Sequence, residues 1–157
     1  MQIRPLVDTD RDWVAELIRD RWGAATVAGH GVVFTPQELP GFAVEEQHEP
    51  VGLVTYTLDD GQCEIVTIDS LSEGRGVGSA LLAAVIDVAR RAECRRVWLV
   101  TTNDNLPAIR FYQKRGFRVT ALHRGIFDAM RALKPSIPRI GLDGIPMSDE
   151  FELELEL

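Results

Sequence analysis

The sequence predicts a single α/β (α+β) domain in which helices pack against a mostly antiparallel sheet. Its 157 residues, 45% hydrophobic and 26% charged, suit one domain with one core. Three strand-like segments from Phe42 onwards, joined by short turns, predict an antiparallel meander. Apolar stripes of helical spacing occur before and after that meander. No internal repeat or linker interrupts the chain, so we expect one domain over residues 1–157.

The N-terminal part begins with a strand, Ile3–Val7, and a helix whose N-cap is Asp8 or Asp10. The apolar stripe of this helix is Trp13, Leu17, Ile18 and Trp22. The next segment, Gly23–Gly41, is rich in Gly and Pro. It predicts a loop with at most one helical turn, near Pro36–Leu39.

The middle of the chain supplies the meander, with strands at Phe42–Gln47, Pro50–Leu58 and Gln62–Leu71. A helix over Val77–Arg91 follows, and its apolar character nearly all round predicts that it is buried. The β-rich apolar run Arg95–Thr102 predicts an interior strand.

The C-terminal part predicts a helix over Asn105–Arg115, a strand over Phe117–His123 and a second helix over Ile126–Lys134. A Pro- and Gly-rich loop then leads to Glu150–Leu157, where apolar residues alternate strictly with glutamates. This alternation predicts a half-buried strand with an acidic outer face.

Charge and composition exclude several classes of protein. The formal net charge of -7 argues against a general nucleic-acid binder. The N-terminus lacks the pattern of a signal peptide, and no apolar run is long enough to span a bilayer. Cys63 and Cys94 have neither metal-ligand nor disulfide spacing. We therefore expect a reduced, cytoplasmic setting, no metal, and no nucleic-acid or membrane partner.

A glycine-rich loop precedes the buried helix, in the stretch SEGRGVGSALL, Ser72–Leu82. Successive backbone N–H groups of such a loop, leading into a helix N-terminus, can hold an anion, and Arg75 could add a charged contact. A simple tight turn is the alternative. The P-loop pattern is absent because Ser79-Ala80 replaces its Lys and Ser/Thr, and the G-x-G-x-G spacing does not fit the dinucleotide fingerprint.

A second informative stretch is TTNDNLPAIRFYQKRGF, Thr101–Phe117. Asn105 can cap the helix, and Pro107 is tolerated in its first turn. Asn105 and Tyr112 are spaced to share one helical face, so both could contact a ligand beside the helix. In the alternative interpretation Asn105 is only a cap and Tyr112 only a core aromatic.

The element order and the two motifs, E-G-R-G-V-G-S-A-L-L and N-x-x-A-x-x-F-Y-x-x-x-G-F, together resemble the GNAT superfamily of N-acetyltransferases. The resemblance covers about residues 42–123, the motif-bearing core, and residues 124–157 add a helix, a loop and a strand. It implies a GNAT-like domain with a central mixed, mostly antiparallel twisted sheet flanked by helices. The extra helix and loop lie before the last strand.

The resemblance implies acetyl-CoA as the cosubstrate, with its pyrophosphate on the amides of the glycine loop. The implied cofactor-binding residues are Ile68, Arg75, Gly76, Val77, Gly78, Ser79, Asn105 and Tyr112. The backbone N–H of Ile68 is the implied oxyanion donor. Glu73 departs from the Gln or Arg of the family pattern, and we expect it to point away from the phosphates.

The implied chemistry is transfer of an acetyl group from a thioester to an amine. Tyr112, with an ordinary pKa of ~10, could protonate the leaving thiolate. Glu64 resembles a catalytic glutamate of some relatives, and Asp69 is a second acid nearer the loop. For both, a solvated acid at a strand end is the alternative. His30 and Phe34 are candidate acceptor-binding residues.

The predicted function is therefore that of an acetyl-CoA-dependent N-acetyltransferase, an acyltransferase that acts by direct transfer to a primary amine of a small molecule or peptide. A non-catalytic acyl-CoA-binding sensor or interaction module on the same fold is the alternative, and a different nucleotide binder is a third hypothesis. The segment Arg124–Glu150 could cover the acceptor side or simply pack on the sheet. The prediction is compatible with a homodimer.

Overall fold

The computed structural model describes residues 1–157, which form nine β-strands and four α-helices. The strands are β1 (Gln2–Pro5), β2 (Val27–Gly29), β3 (Val32–Phe34), β4 (Gly41–Glu46), β5 (Glu49–Asp59), β6 (Gln62–Ser70), β7 (Arg96–Thr102), β8 (Arg118–His123) and β9 (Glu150–Glu156). The helices are α1 (Arg11–Trp22), α2 (Val77–Arg91), α3 (Leu106–Gln113) and α4 (Phe127–Leu133).

Seven strands form one sheet in the order β1-β4-β5-β6-β7-β9-β8, and β2 and β3 form a separate hairpin. Every neighbouring pair in the large sheet is antiparallel except β6 and β7. This arrangement confirms the predicted mixed, mostly antiparallel sheet, with an extra helix and loop before the last strand. No helix combines the length and the apolar character needed to cross a bilayer.

Apolar side chains cover both faces of the sheet. Val54 belongs to the larger cluster, which includes residues of α2 and α3, and its neighbour Leu53 belongs to the smaller cluster with residues of α1 and β2. This division follows from the alternation of side chains along a strand. Leu81 of α2 is fully buried, and burying a side chain of that size contributes about 2 kcal/mol. The core thus fixes α2 and α1 on opposite faces.

The segment before the meander differs from the prediction. Val27–Gly29 and Val32–Phe34 form a hairpin where the sequence predicted a loop, and the predicted helical turn is present at Pro36–Glu38. Strands of three residues are too short to show a readable alternation. The turn is made by His30 and Gly31, which both adopt positive φ. Paired positive φ values at the two central residues suit a tight hairpin turn.

Strands β6 and β7 pair over only a short distance and then separate. Gln62–Glu64 pairs with Arg96–Trp98, and beyond that point each strand pairs only with its other neighbour. The Leu71 N–H donates to the Val51 carbonyl over 2.8 Å. Along an antiparallel strand, residues whose backbone groups bond to the partner alternate with residues whose backbone groups point away from it. Ile68 lies three residues before Leu71, so its N–H and C=O point away from β5. A gap with free backbone groups therefore opens between the two strands.

Candidate active site

The glycine loop lies between the end of β6 and the start of α2. Gly76 is the N-cap of α2 and has a φ of 77°, which glycine adopts without strain. A Cβ on Gly76 would meet no atom within 4 Å, whereas one on Gly78 would lie 3.1 Å from a ring atom of Phe111. The Val77 side chain is buried, so only its backbone is available to a ligand. The loop therefore presents unpaired helix N–H groups to open space, as an anion site requires.

Two arginines flank this loop. Arg75 is 60% exposed and its Nη1 lies 2.7 Å from Oε2 of Glu46. Arg115 donates from Nη2 to the Ser79 Oγ over 2.8 Å, and its guanidinium lies 3.8 Å above the centre of the Phe111 ring. Arg115 was not among the residues predicted from the sequence, because only the fold brings the end of α3 beside the start of α2. Both cations add positive charge near the loop.

Helix α3 begins beside the gap between β6 and β7. Asn105 is its N-cap, and the Asn105 Oδ1 accepts a hydrogen bond from the Ala108 N–H over 3.3 Å. Asn105 also lines the cleft described below. The predicted cap is therefore present, and the same side chain borders a space that a ligand could occupy.

Tyr112 lies two turns into α3 and is only 3% exposed. Its ring packs against those of Phe111 and Phe117, with centroids 5.1 and 5.2 Å away. Burial raises the pKa of the Tyr112 phenol above its usual value near 10, and the negative charge of Asp69 raises it further. The phenol therefore keeps its proton at neutral pH and is a proton donor within electrostatic range of Asp69.

Three predicted residues, His30 and Phe34 from one segment and Glu64 from β6, come together on the opposite face of the sheet. The His30 Nε2 lies 2.6 Å from the Glu64 Oε1. The His30 ring is tilted against Trp98 at 5.0 Å and edge-on to Phe34 at 5.9 Å. The hydrogen bond to Glu64 raises the pKa of the His30 imidazole. The result is a hydrogen-bonded acid–base pair whose imidazole packs against two aromatic side chains.

Glu150 is a further member of this cluster, although the sequence predicted it on a solvent-facing side. It is only 2% exposed, and its Oε1 accepts a hydrogen bond from the His30 N–H over 2.9 Å. The hairpin of β2 and β3 covers the start of β9 and removes this residue from water. Burial raises the pKa of Glu150. No local pattern could have indicated this role, because the partner is 120 residues away in the chain.

A cleft in two adjoining parts is lined by several of these groups, although not by His30 or Tyr112. A narrow inner cavity of about 60 Å³ is lined by Glu64, Glu150 and Phe34, among others. An outer groove of about 660 Å³ is lined by Asp69 and Asp104, among others. The two parts share the lining residues Trp22, Val27, Ala28, Thr102 and Asn105. A molecule in the groove could therefore extend into the inner cavity.

The segment between β8 and β9 forms the outer wall of the groove. The Lys134 Nζ donates to the carbonyls of Thr26 and Trp22 over 2.6 and 3.4 Å, and burial lowers the pKa of this amine. The Asp104 Oδ2 accepts a hydrogen bond from the Leu142 N–H over 2.8 Å. These contacts fasten the segment to the loop after α1 and to the turn after β7, so it encloses the groove.

The comparison with protein families identifies this architecture. The family described as the acetyltransferase (GNAT) family matches residues 9–117. The chain belongs to the GNAT acetyltransferases. Among curated relatives of this GNAT chain, the protein YdhI of Bacillus subtilis (strain 168) is 40% identical over 152 residues, which cover 96% of this chain and 95% of YdhI.

Solved structures share the GNAT fold along the whole chain. The IAA acetyltransferase from Bacillus cereus ATCC 14579 has a TM-score of 0.76 at 19% identity and covers 99% of both chains. A Bacillus subtilis acetyltransferase in complex with CoA has a TM-score of 0.73 at 20% identity, over 99% of this chain and 98% of that one. At this level of identity the likeness concerns the fold, and the roles of individual residues in this GNAT protein are argued from its own geometry.

Proposed function

We propose that this GNAT protein is an acetyl-CoA-dependent N-acetyltransferase that moves the acetyl group directly to a primary amine of a small molecule or peptide. The observation that carries the proposal is the gap between β6 and β7, where the backbone of Ile68 lacks a partner strand. Two further features support it: the unpaired N–H groups at the start of α2, and the protonated phenol of Tyr112 within electrostatic range of Asp69 at the end of β6. Family membership and the CoA bound to one structural neighbour support acetyl-CoA as the donor.

The residues at the gap fit acetyl-CoA as a cosubstrate. The amides of Gly76–Ser79 lie at a helix N-terminus that begins beside open space at Gly76. They would hold the pyrophosphate, with Arg75 and Arg115 as flanking cations. Asn105 and the free backbone groups of Ile68 would contact the pantetheine arm. Acetyl-CoA supplies the reactive thioester, and the protein supplies binding, orientation and proton transfer.

Acetyl transfer forms a C–N bond and breaks a C–S bond, while the amine loses one proton and the leaving sulfur gains one. Tyr112 would give its proton to the sulfur, because burial keeps the phenol protonated at neutral pH. The Ile68 N–H would donate to the carbonyl oxygen as negative charge develops there. Tyr112 then regains a proton from solvent, and the proton released by the amine leaves to solvent, so protons balance over a turnover.

Glu64 would accept the proton of the attacking amine. Its Oε1 lies 2.6 Å from the His30 Nε2, and the His30 side chain is 24% exposed, compared with 9% for Glu64. The imidazole can therefore pass a proton from the buried carboxylate towards water. Phe34, edge-on to His30, would line the apolar side of the acceptor.

The first test is the thermal midpoint of the purified protein with acetyl-CoA, with ADP and NAD as controls. A ligand that binds only the folded state at a hundredfold excess over Kd stabilises it by about 2.7 kcal/mol. We expect a clear rise with acetyl-CoA alone, followed by release of free thiol when amines are added. A larger shift with ADP or NAD would contradict the proposal. Binding without turnover on any amine would favour a non-catalytic acyl-CoA-binding module.

A further inference from the structure

Two carboxylates that line the outer groove each have one buried oxygen without a hydrogen-bond partner. Five buried side-chain atoms lack a hydrogen-bond partner: Gln37 Oε1, Asp69 Oδ2, Asp104 Oδ1, His123 Nε2 and Arg131 Nε. Only Asp69 and Asp104 line the groove, and these residues are 8% and 3% exposed. Buried polar groups nearly always have partners, and an unpaired one destabilises the protein. The lining of the groove therefore includes two carboxylates that each keep one acceptor atom unused.

The cations of the groove are already engaged with carbonyl oxygens. The Lys134 Nζ donates to the carbonyls of Thr26 and Trp22, and the Arg21 Nη2 donates to the Ser70 carbonyl over 3.3 Å. The buried side-chain atoms of the groove that lack a partner are thus acceptors and not donors. A complementary ligand must bring donors, and an ammonium group brings three together with a positive charge.

We infer that the acceptor is a diamine or polyamine whose second, non-reacting ammonium group binds in the groove between Asp69 and Asp104. The inner cavity, of about 60 Å³, has room for the reacting amine beside Glu64 but not for a larger group. The groove of about 660 Å³ holds the remainder of the molecule, with its second charge. The net charge of -7 favours the approach of such a cation.

This inference rests on the proposed transferase function for the fate of the reacting amine, but binding of the second ammonium is measurable without turnover. Three amines of similar length separate the effect of the second positive charge from the effect of molecular size. Putrescine has an amine at both ends, n-butylamine has the same carbon chain with one amine, and γ-aminobutyrate replaces the second amine with a carboxylate. Steady-state thiol release gives kcat/KM for each, and calorimetry gives the affinity of each.

Asp104→Asn and Asp69→Asn remove the proposed charges while keeping nearly the same shape, and the amide oxygen introduced by Asp104→Asn can still accept from the Leu142 N–H. Asp143→Asn is the control, because Asp143 is an exposed acid of the same wall that does not line the groove. The wild type should prefer putrescine over n-butylamine by about tenfold or more in kcat/KM. That ratio should fall by about tenfold in Asp104→Asn and Asp69→Asn and stay constant in Asp143→Asn.

Equal use of putrescine and n-butylamine, or a preference for γ-aminobutyrate, would overturn the inference while leaving the transferase function intact. If no amine is acetylated, the transferase proposal fails and calorimetry decides the inference alone. Saturable binding of putrescine that weakens in Asp104→Asn would still support the ammonium site. Absence of putrescine binding would overturn it.

Discussion

Glu64 and Asp69 lie five residues apart on β6, yet their side chains face the same side of the sheet. Their partners on β5, Thr57 and Leu53, are four residues apart. In a regular strand an odd spacing places two side chains on opposite faces. Here a β-bulge leaves Val66 as an extra residue between the paired positions and restores the common face. One strand thereby contributes both the proposed base and a proposed ammonium-binding carboxylate to the same cleft.

Replacing Tyr112 tests the proposed acid. Tyr112→Phe keeps the buried ring and removes only the hydroxyl, so the fold should be retained while the leaving sulfur loses its proton donor. We expect kcat to fall by about a hundredfold or more, with the Kd for acetyl-CoA unchanged. Stopped-time assays of thiol release and a binding titration measure the two quantities separately.

Tyr56 offers a matched control for that substitution. It is the other tyrosine of the chain, and it is also buried in the larger core cluster. Tyr56→Phe should leave kcat within about twofold of the wild type, because no proton transfer is assigned to it. Full activity in Tyr112→Phe would remove Tyr112 from the mechanism.

Gly76→Ala tests the proposed phosphate site at the glycine loop. The φ of residue 76, 77°, is strained for alanine by about 1 to 2 kcal/mol, and the new methyl group would project into the open space above the loop. We expect the Kd for acetyl-CoA to rise about tenfold, since the methyl group blocks the approach of a phosphate. Gly125→Ala, with a φ of 73° and open space, should show similar strain with an unchanged Kd. An equal change in both variants would contradict a phosphate site at Gly76.

The bond between His30 and Glu64 predicts a pH dependence of stability. Because the folded pKa of His30 is raised, the bond stabilises the protein fully below the unfolded pKa of about 6.5 and loses this effect as pH rises through the folded pKa. Glu64→Gln should therefore lower the free energy of unfolding by about 1 to 2 kcal/mol more near pH 6 than near pH 9. Urea unfolding at the two pH values measures this difference. The exposed Glu49→Gln should show none.

Gly141→Ala tests whether the outer wall shapes the acceptor site. A Cβ at this position would overlap the Asp104 carboxylate, which holds the Leu142 N–H. We expect the free energy of unfolding to fall by about 1 to 3 kcal/mol and the KM for the acceptor to rise, with the Kd for acetyl-CoA unchanged. In Gly144→Ala the added methyl meets open space, so only backbone strain should lower stability. An unaltered KM for the acceptor in Gly141→Ala would show that the segment between β8 and β9 does not contribute to acceptor binding.

The elements with a long, regular pattern were predictable from the sequence. Helix α2 spans the predicted Val77–Arg91, and the meander strands lie within a residue or two of their predicted bounds. Apolar periodicity and turn residues determine such elements locally, so a short window of sequence contains the necessary information. The GNAT family followed from two such local motifs.

The parts of the site that depend on remote contacts were not predictable. The burial of Glu150 results from a hairpin that packs over it from the other end of the chain, and the bulge at Val66 leaves no mark in the composition of β6. The Asp104 Oδ1 is unpaired only because its surroundings in the folded chain supply too few donors. Each of these features depends on packing between elements that are far apart in the chain. The residue types and spacing within a short stretch of sequence do not indicate such packing.

The short pairing of β6 with β7 divides the large sheet into two leaves, one of β1, β4, β5 and β6 and the other of β7, β9 and β8. Only three residue pairs join the leaves directly. A pantetheine arm lying in the gap would bond to the free backbone groups along its edge, as a strand does. Bound acetyl-CoA would then link the two leaves by hydrogen bonds that the strands themselves do not make. The rigidity of the whole sheet would therefore depend on whether acetyl-CoA is bound.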